Sequence, residues 1–244
     1  MAFIDLKISS KSLGVKTSVY VIIPQEKPAD GSKFKCLYLL HGLSDDQTTW
    51  MRRTSIERYA DKYGICVVMP DANISFYTDM KHGLPYYTYI AKELPELMQS
   101  MLGVSDKRED NFVAGLSMGG YGALKIALRE CDRFCAGAGL SAATDMDARR
   151  ASPLYSLIFG ENAQLPQNED LFALAKEKSS SPNRPRIYLG VGTEDFLYGE
   201  NQKFKSALEN LGYDLTYRES HGTHNWDFWD EYIQYVLEWI FDIK

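Results

Sequence analysis

Residues Asn111 to Gly122 read NFVAGLSMGGYG, with Ser117 set between Gly115 and Gly119. A serine hydroxyl is a weak nucleophile near neutral pH, and to react it must be held clear of the backbone and given a base. Phe112-Val113-Ala114 reads as a short buried strand, and Tyr121 to Arg129 reads as helix. A sharp turn between them drives the serine into a sparsely allowed backbone region. It also crowds the residues two positions to either side, where only a residue without Cβ fits cheaply. The expected result is a nucleophile elbow, a hydroxyl presented above a sheet with a helix N-terminus behind it to favour negative charge. The rival explanation of the same residues is a tight turn whose serine only caps the helix.

The base must come from four histidines. His41 follows a strand, but its turn is better explained as an anion-stabilising loop. His82 lies in a polar loop and is a weak candidate. His221 and His224 both lie in the last strand-to-helix loop, and the residues alone do not separate them. The base in turn needs an acid to hold its tautomer and stabilise the imidazolium. Asp195 is best placed, four residues past an apolar strand in a glycine-opened turn; Glu194 is its rival, and Asp71 and Asp145 are weaker. An oxyanion intermediate calls for two backbone N–H groups. Met118, just after the serine, supplies one, and the His41-Gly42-Leu43 loop supplies the other, assigned to Leu43. That loop is not the His-Gly-Gly-Gly type of many lipases.

The elements that must position these groups follow from the apolar patterning. Phe3 to Ile8 and Thr17 to Ile23 alternate and predict an antiparallel hairpin. Continuous apolar runs at Cys36 to Leu40, Ile65 to Met69 and Arg186 to Val191, with the small-residue run Ala136 to Leu140, predict strands buried on both faces. Leu215 to Arg218 is the last strand. Helices are expected over Ser55 to Tyr63, Tyr86 to Leu102 (kinked at Pro95), Asn201 to Asn210 and Trp226 to Phe241. Residues 143–184 are irregular and read as a small lid-like insertion over one end of the sheet, not a second domain, so that 1–244 forms a single domain. Strands alternating with helices imply an α/β architecture with a mostly parallel sheet and helices on both faces. Ligands of such sheets bind at the carboxyl ends of the strands, where the turns after Leu116, Val191 and Arg218 lie. The order serine, acid, histidine along the chain is that of the α/β-hydrolase fold.

Composition narrows the classes. The chain has 244 residues, 45% hydrophobic and 25% charged, with a net charge of −6, and carries no basic run. Nucleic-acid and anionic-membrane partners are therefore not expected. The first residues lack a signal-peptide pattern and no apolar stretch is long enough to span a bilayer, so a cytoplasmic location is expected. Cys36, Cys66, Cys131 and Cys135 are expected to be buried free thiols, since a Cys-x3-Cys pair without a second pair or nearby histidine is a poor zinc site. No metal or cofactor is implied, and a homo-oligomer is compatible with the sequence. Trp50, Tyr77, Phe196, Leu197 and Trp226 adjoin the candidate loops and are expected to wall a substrate pocket, with core positions as the alternative.

Over nearly its whole length the chain resembles the esterase D-like family of α/β-hydrolases, most closely its small bacterial branch of tributyrin esterases. The resemblance rests on LYLLHGLSDDQTTW (Leu37 to Trp50), YGICVVMPDANISFYTD (Tyr63 to Asp79), YYT (Tyr86 to Thr88) and AGLSMGGYGALKIAL (Ala114 to Leu128). GTEDFL (Gly192 to Leu197) and GTHNWDFW (Gly222 to Trp229) complete it. The family's G-x-H-x-W pattern falls on Gly222, His224 and Trp226 and implies His224 as base; its G-x-x-D-F pattern falls on Gly192, Asp195 and Phe196 and implies Asp195 as acid. The resemblance implies serine carboxylesterase activity on short-chain acyl esters of small molecules. The family also holds S-formylglutathione hydrolases, feruloyl esterases and secreted mycolyltransferases. A thioesterase, an acyltransferase and a non-catalytic binding protein on the same fold are therefore the rivals.

Overall fold

The computed structural model describes residues 1–241; the last three lie outside the described residues. Strands β1 (Ala2–Ser9) and β2 (Lys16–Ile23) form the expected hairpin, paired antiparallel from Ala2↔Ile23 to Ser9↔Lys16. Then come β3 (Cys36–Leu40), α1 (Thr49–Arg53), α2 (Ile56–Tyr63) and β4 (Cys66–Pro70). Helix α3 (Tyr86–Thr88) runs through a π turn, Tyr89–Glu93, into α4 (Leu94–Leu102). The second half holds β5 (Asn111–Leu116), α5 (Met118–Arg129), β6 (Ala136–Leu140), α6 (Pro153–Phe159) and α7 (Leu171–Lys178). It closes with β7 (Arg186–Gly192), α8 (Tyr198–Asn210), β8 (Leu215–Ser220) and α9 (Trp226–Ile240).

The eight strands make one sheet in the order β1-β2-β4-β3-β5-β6-β7-β8. β1–β2 and β2–β4 are antiparallel, and every other neighbouring pair is parallel. The central strands β3, β4, β5 and β6 are buried at every position, as their unbroken apolar runs require. Successive side chains of β3 point to opposite faces, so Tyr38 and Leu40 join a core under α5, and Leu37 and Leu39 join a core under α9. Helix α9 meets the sheet through Phe228, Trp229, Tyr232, Ile233, Val236, Leu237 and Ile240, a stripe at helical period. Each such side chain, fully buried, contributes about 1.5–3 kcal/mol.

Three expectations shift. The helix after Ser117 begins at Met118, three residues earlier than its apolar period suggests, because the turn passes directly into helix. Pro95 does not act as a mid-helix break; it falls in the first turn of α4, and the π turn before it absorbs the missing donor. Cys36, Cys66 and Cys131 are buried free thiols, whereas Cys135 is partly exposed at the start of β6. Among the described residues no helix is long and apolar enough to cross a membrane.

Candidate active site

Ser117 sits at φ 52° and ψ −114°, in the left-handed region a serine rarely occupies, at a strain of about 1–3 kcal/mol. Backbone bonds from three sides hold it there. Its N–H donates to Leu140 O (2.8 Å), and its carbonyl accepts from Ala143 N (3.1 Å) and Tyr121 N (3.1 Å). The flanking glycines are needed for space. A Cβ on Gly115 would lie 2.4 Å from Gly119 O, and one on Gly119 would lie 2.4 Å from Leu40 O and 2.5 Å from His41 O. The same absence of side chains brings the loop after β3 against the start of α5.

A histidine lies within hydrogen-bond reach of the serine. His224 Nε2 lies 3.0 Å from Ser117 Oγ, and His224 Nδ1 lies 2.9 Å from Asp195 Oδ2. These partners define the tautomer: Nδ1–H donates to the carboxylate, and Nε2 accepts from the hydroxyl. Asp195 is buried at the end of β7, and its other oxygen accepts the Leu197 N–H (2.8 Å). Burial pushes its pKa up, but the bonds from His224, Leu197 N–H and the Ser141 hydroxyl outweigh that and hold it below the ordinary carboxylate value. The imidazole lies between two rings, Phe196 (centroids 4.5 Å apart) and Trp229 (4.9 Å, edge to face). Trp229 is pinned by its indole N–H to Ser141 Oγ at 3.0 Å.

The other candidates stand elsewhere. His41 is buried, with Nδ1 2.8 Å from Gly42 O while Nε2 accepts from Ala72 N (2.9 Å). Burial pushes its pKa down, so it is neutral, and the Asp71 carboxylate 3.8 Å from the unprotonated Nε2 makes no ion pair. His82 is exposed, and its backbone N–H bonds the insertion at Leu157 O (3.1 Å). Glu194 contacts His221, not His224, with Oε1 2.6 Å from Nδ1. Asp71 and Asp145 accept from their own loops, at Asn73 N and Ala148 N.

Leu43 is 43% exposed in the loop against α5. Among the described residues neither its N–H nor that of Met118 donates to a protein acceptor, so both are free for a developing oxyanion. The aromatic expectations divide. Trp50 is buried with its indole N–H on Leu40 O (3.0 Å), and Tyr77 is buried with its hydroxyl on His41 O (2.8 Å). Both brace the β3 loop from inside. Leu197 is buried in the core beneath α8, and Trp226 is half-buried, edge-on to Trp50 (5.1 Å) and Trp229 (5.3 Å). Phe196 is 75% exposed over the imidazole.

A cavity of about 190 Å³ opens beside Leu43. It is lined by Phe76, Met146, Leu154, Tyr155 and Ile158, with Arg149 and Ser152 its polar members. Most of these belong to the 143–184 insertion, whose weak periodicity hid them in the sequence. A larger cleft of about 440 Å³ lies around Met51 and Arg58, lined by no residue of the elbow or of the acid and base loops. Ser141 and Trp229 also escaped the sequence reading; Trp229 falls within GTHNWDFW, but nothing there says it meets the imidazole.

A family model described as "Putative esterase" matches residues 10–239. An acetyl esterase of Caldicellulosiruptor saccharolyticus is 33% identical over 261 residues, covering 98% of each chain. Among solved structures, the substrate-bound Staphylococcus aureus fluorophosphonate-binding serine hydrolase FphF superposes with a TM-score of 0.92 at 33% identity, covering 98% of both chains. The S-formylglutathione hydrolase FrmB of Staphylococcus aureus superposes with a TM-score of 0.88, also at 33% identity and 98% of both chains.

Proposed function

This chain belongs to that esterase family, and on that premise we propose that it is a serine esterase cleaving short-chain acyl esters through Ser117, His224 and Asp195. The observation that carries the reading is the pair of hydrogen bonds joining Asp195, His224 and Ser117 at 2.9 and 3.0 Å. In the first step His224 Nε2 takes the hydroxyl proton as Ser117 Oγ bonds to the ester carbonyl carbon. The carbonyl oxygen becomes an oxyanion that accepts from Met118 and Leu43 N–H. Collapse breaks the bond to the alkoxy oxygen, which leaves as the alcohol with the proton from His224. Water then gives a proton to the same nitrogen and attacks the acyl-serine; collapse releases the acid and returns the proton to Ser117. Each oxyanion donor is worth on the order of 3 kcal/mol in the transition state. Asp195 stays ionised throughout and favours the imidazolium.

We assign the acyl group to the cavity at Leu43. Drug-sized ligands occupy about 300–1,000 Å³, and 190 Å³ lined by side chains of the insertion suits an acyl group of a few carbons. The second reading, a thioesterase for a short acyl group on a thiol, draws on the likeness to the S-formylglutathione hydrolase and uses the same residues. The test is kcat/KM for p-nitrophenyl acetate, butyrate and octanoate alongside S-formylglutathione. Acetate and butyrate should exceed octanoate by at least tenfold, about 1.4 kcal/mol. Preference for octanoate would contradict the assigned acyl cavity, and S-formylglutathione turnover above all three esters would favour the thioester reading.

A further inference from the structure

The two acidic residues of GTED and the two histidines of the base loop form two pairs side by side. Asp195 meets His224, and Glu194 meets His221. The outer pair is exposed at the histidine, but the Glu194 carboxylate does more than face it. Its Oε2 accepts the Gly222 N–H at 2.7 Å, while the Glu194 N–H donates to Gly222 O at 3.0 Å. Its Oε1 accepts from the Thr193 hydroxyl at 2.8 Å. Both backbone groups of Gly222 are thus taken by a single residue of the acid loop.

Gly222 packs closely against the acid loop on one side and Phe228 on the other. A Cβ on Gly192 would lie 2.2 Å from Gly222 O, and a Cβ on Gly222 would lie 2.7 Å from Phe228 Cδ2. One residue earlier the same seam continues, with Thr193 N–H donating to Ser220 O at 2.9 Å. Gly222 stands two residues before His224. Beyond it the chain passes through Thr223 and His224, both outside any strand or helix, before α9 begins at Trp226. The imidazole therefore hangs between two anchors, Gly222 on one side and the N-cap of α9 on the other, where Asn225 Oδ1 accepts Phe228 N (3.1 Å).

We propose that Glu194 is a positioning residue for the proposed serine esterase reaction: its carboxylate clamps Gly222 to the acid loop and so fixes where His224 meets Ser117. The inference rests on the triad reading. Without the carboxylate, the Gly222 N–H turns to solvent, the base loop gains freedom, and the 3.0 Å contact between His224 and Ser117 is populated less often. A displacement of about 1 Å of a catalytic group costs up to about 100-fold in rate. The clamp needs an acceptor at Oε2, not a negative charge, so an amide in its place should serve.

The test compares Glu194→Ala, Glu194→Gln and Asp195→Asn in the full chain, read by kcat, by KM and by the second-order rate of fluorophosphonate labelling at Ser117. Glu194→Ala should lose about 10- to 100-fold in kcat with KM within about twofold, and labelling should slow in parallel, because both report on the base. Glu194→Gln should restore both to within about threefold of wild type, the amide oxygen taking the Gly222 N–H. A fall in folded fraction alone would scale the amplitude of labelling and leave its rate constant unchanged. Glu194→Ala with kcat within twofold of wild type overturns the clamp, as does Glu194→Gln being as impaired as Glu194→Ala. If Asp195→Asn labels at the wild-type rate while Glu194→Ala does not label, Glu194 is the acid and the triad reading itself fails.

Discussion

At the scale of single residues, the Asp195 carboxylate sets the pH behaviour. Three donors hold its pKa below the ordinary carboxylate value despite burial, so it remains ionised near neutral pH. The base works only when neutral, and kcat/KM should rise with pH along a limb of unit slope in a logarithmic plot. A slope of two on the acid side would show Asp195 titrating with His224 and contradict this arrangement. Asp195→Asn should lower kcat for p-nitrophenyl butyrate by about 10⁴-fold, the amide favouring the wrong tautomer; a loss under tenfold would remove Asp195 from its proposed role. Ser117 was legible as a strand-end turn between glycines, whereas the residues alone left His221 beside His224 and Glu194 beside Asp195, and only the family patterns chose between them. The aromatics were not. Trp50 and Tyr77 adjoin catalytic loops along the chain, yet both turn inward to bond the Leu40 and His41 carbonyls. Adjacency in sequence does not say which side of a loop a ring faces.

At the scale of elements, the strands of the sheet were readable because burial on both faces leaves an unbroken apolar run, as in β3 and β6. The insertion was readable only as an irregularity. Its helices are short, so their apolar positions carry no clear period, and the cavity they line had no signal. An ion pair ties this insertion to α8, the helix that follows the Asp195 loop. Arg149 meets the Glu200 carboxylate with both terminal nitrogens, each at 3.1 Å, and Glu200 Oε2 also accepts Asp145 N (3.1 Å). Arg149 lines the cavity proposed for the acyl group, so this bridge across to α8 would limit how far the cavity wall can yield. Glu200→Gln should loosen it by about 1 kcal/mol, the scale of a partly exposed ion pair. The ratio of kcat/KM for octanoate over butyrate should then rise about fivefold. An unchanged ratio would mean that the wall is held by other contacts.

At the scale of the molecule, a buried charge network fastens the insertion to the elbow helix. The Lys125 ammonium, fully buried on α5, donates to Glu169 Oε2 (2.5 Å) and Thr78 Oγ1 (2.7 Å), and Arg129 meets the other Glu169 oxygen at 2.9 Å. Burial pushes the Lys125 pKa down to about 8 against the opposing pull of Glu169. In the unfolded chain a lysine titrates near ~10.4. Between these values the unfolded chain carries a proton that the folded chain has released, so this group makes stability rise with pH from about 8 to 10. In urea titrations the stability of wild type over Lys125→Met should therefore widen across that window. A constant gap would show that the lysine keeps its proton. Nothing in the sequence marks Lys125 as buried, because a lysine at its helical position is ordinarily solvated. What the whole fold accomplishes is the meeting of side chains 107 and 29 residues apart in the chain, at the carboxyl edge of one sheet. The most direct test is fluorophosphonate labelling followed by peptide mapping. A single adduct on Ser117 is expected in the wild type, none in Ser117→Ala, and a strongly slowed adduct in His224→Ala. Full labelling of Ser117→Ala, or an unslowed His224→Ala, would contradict the account.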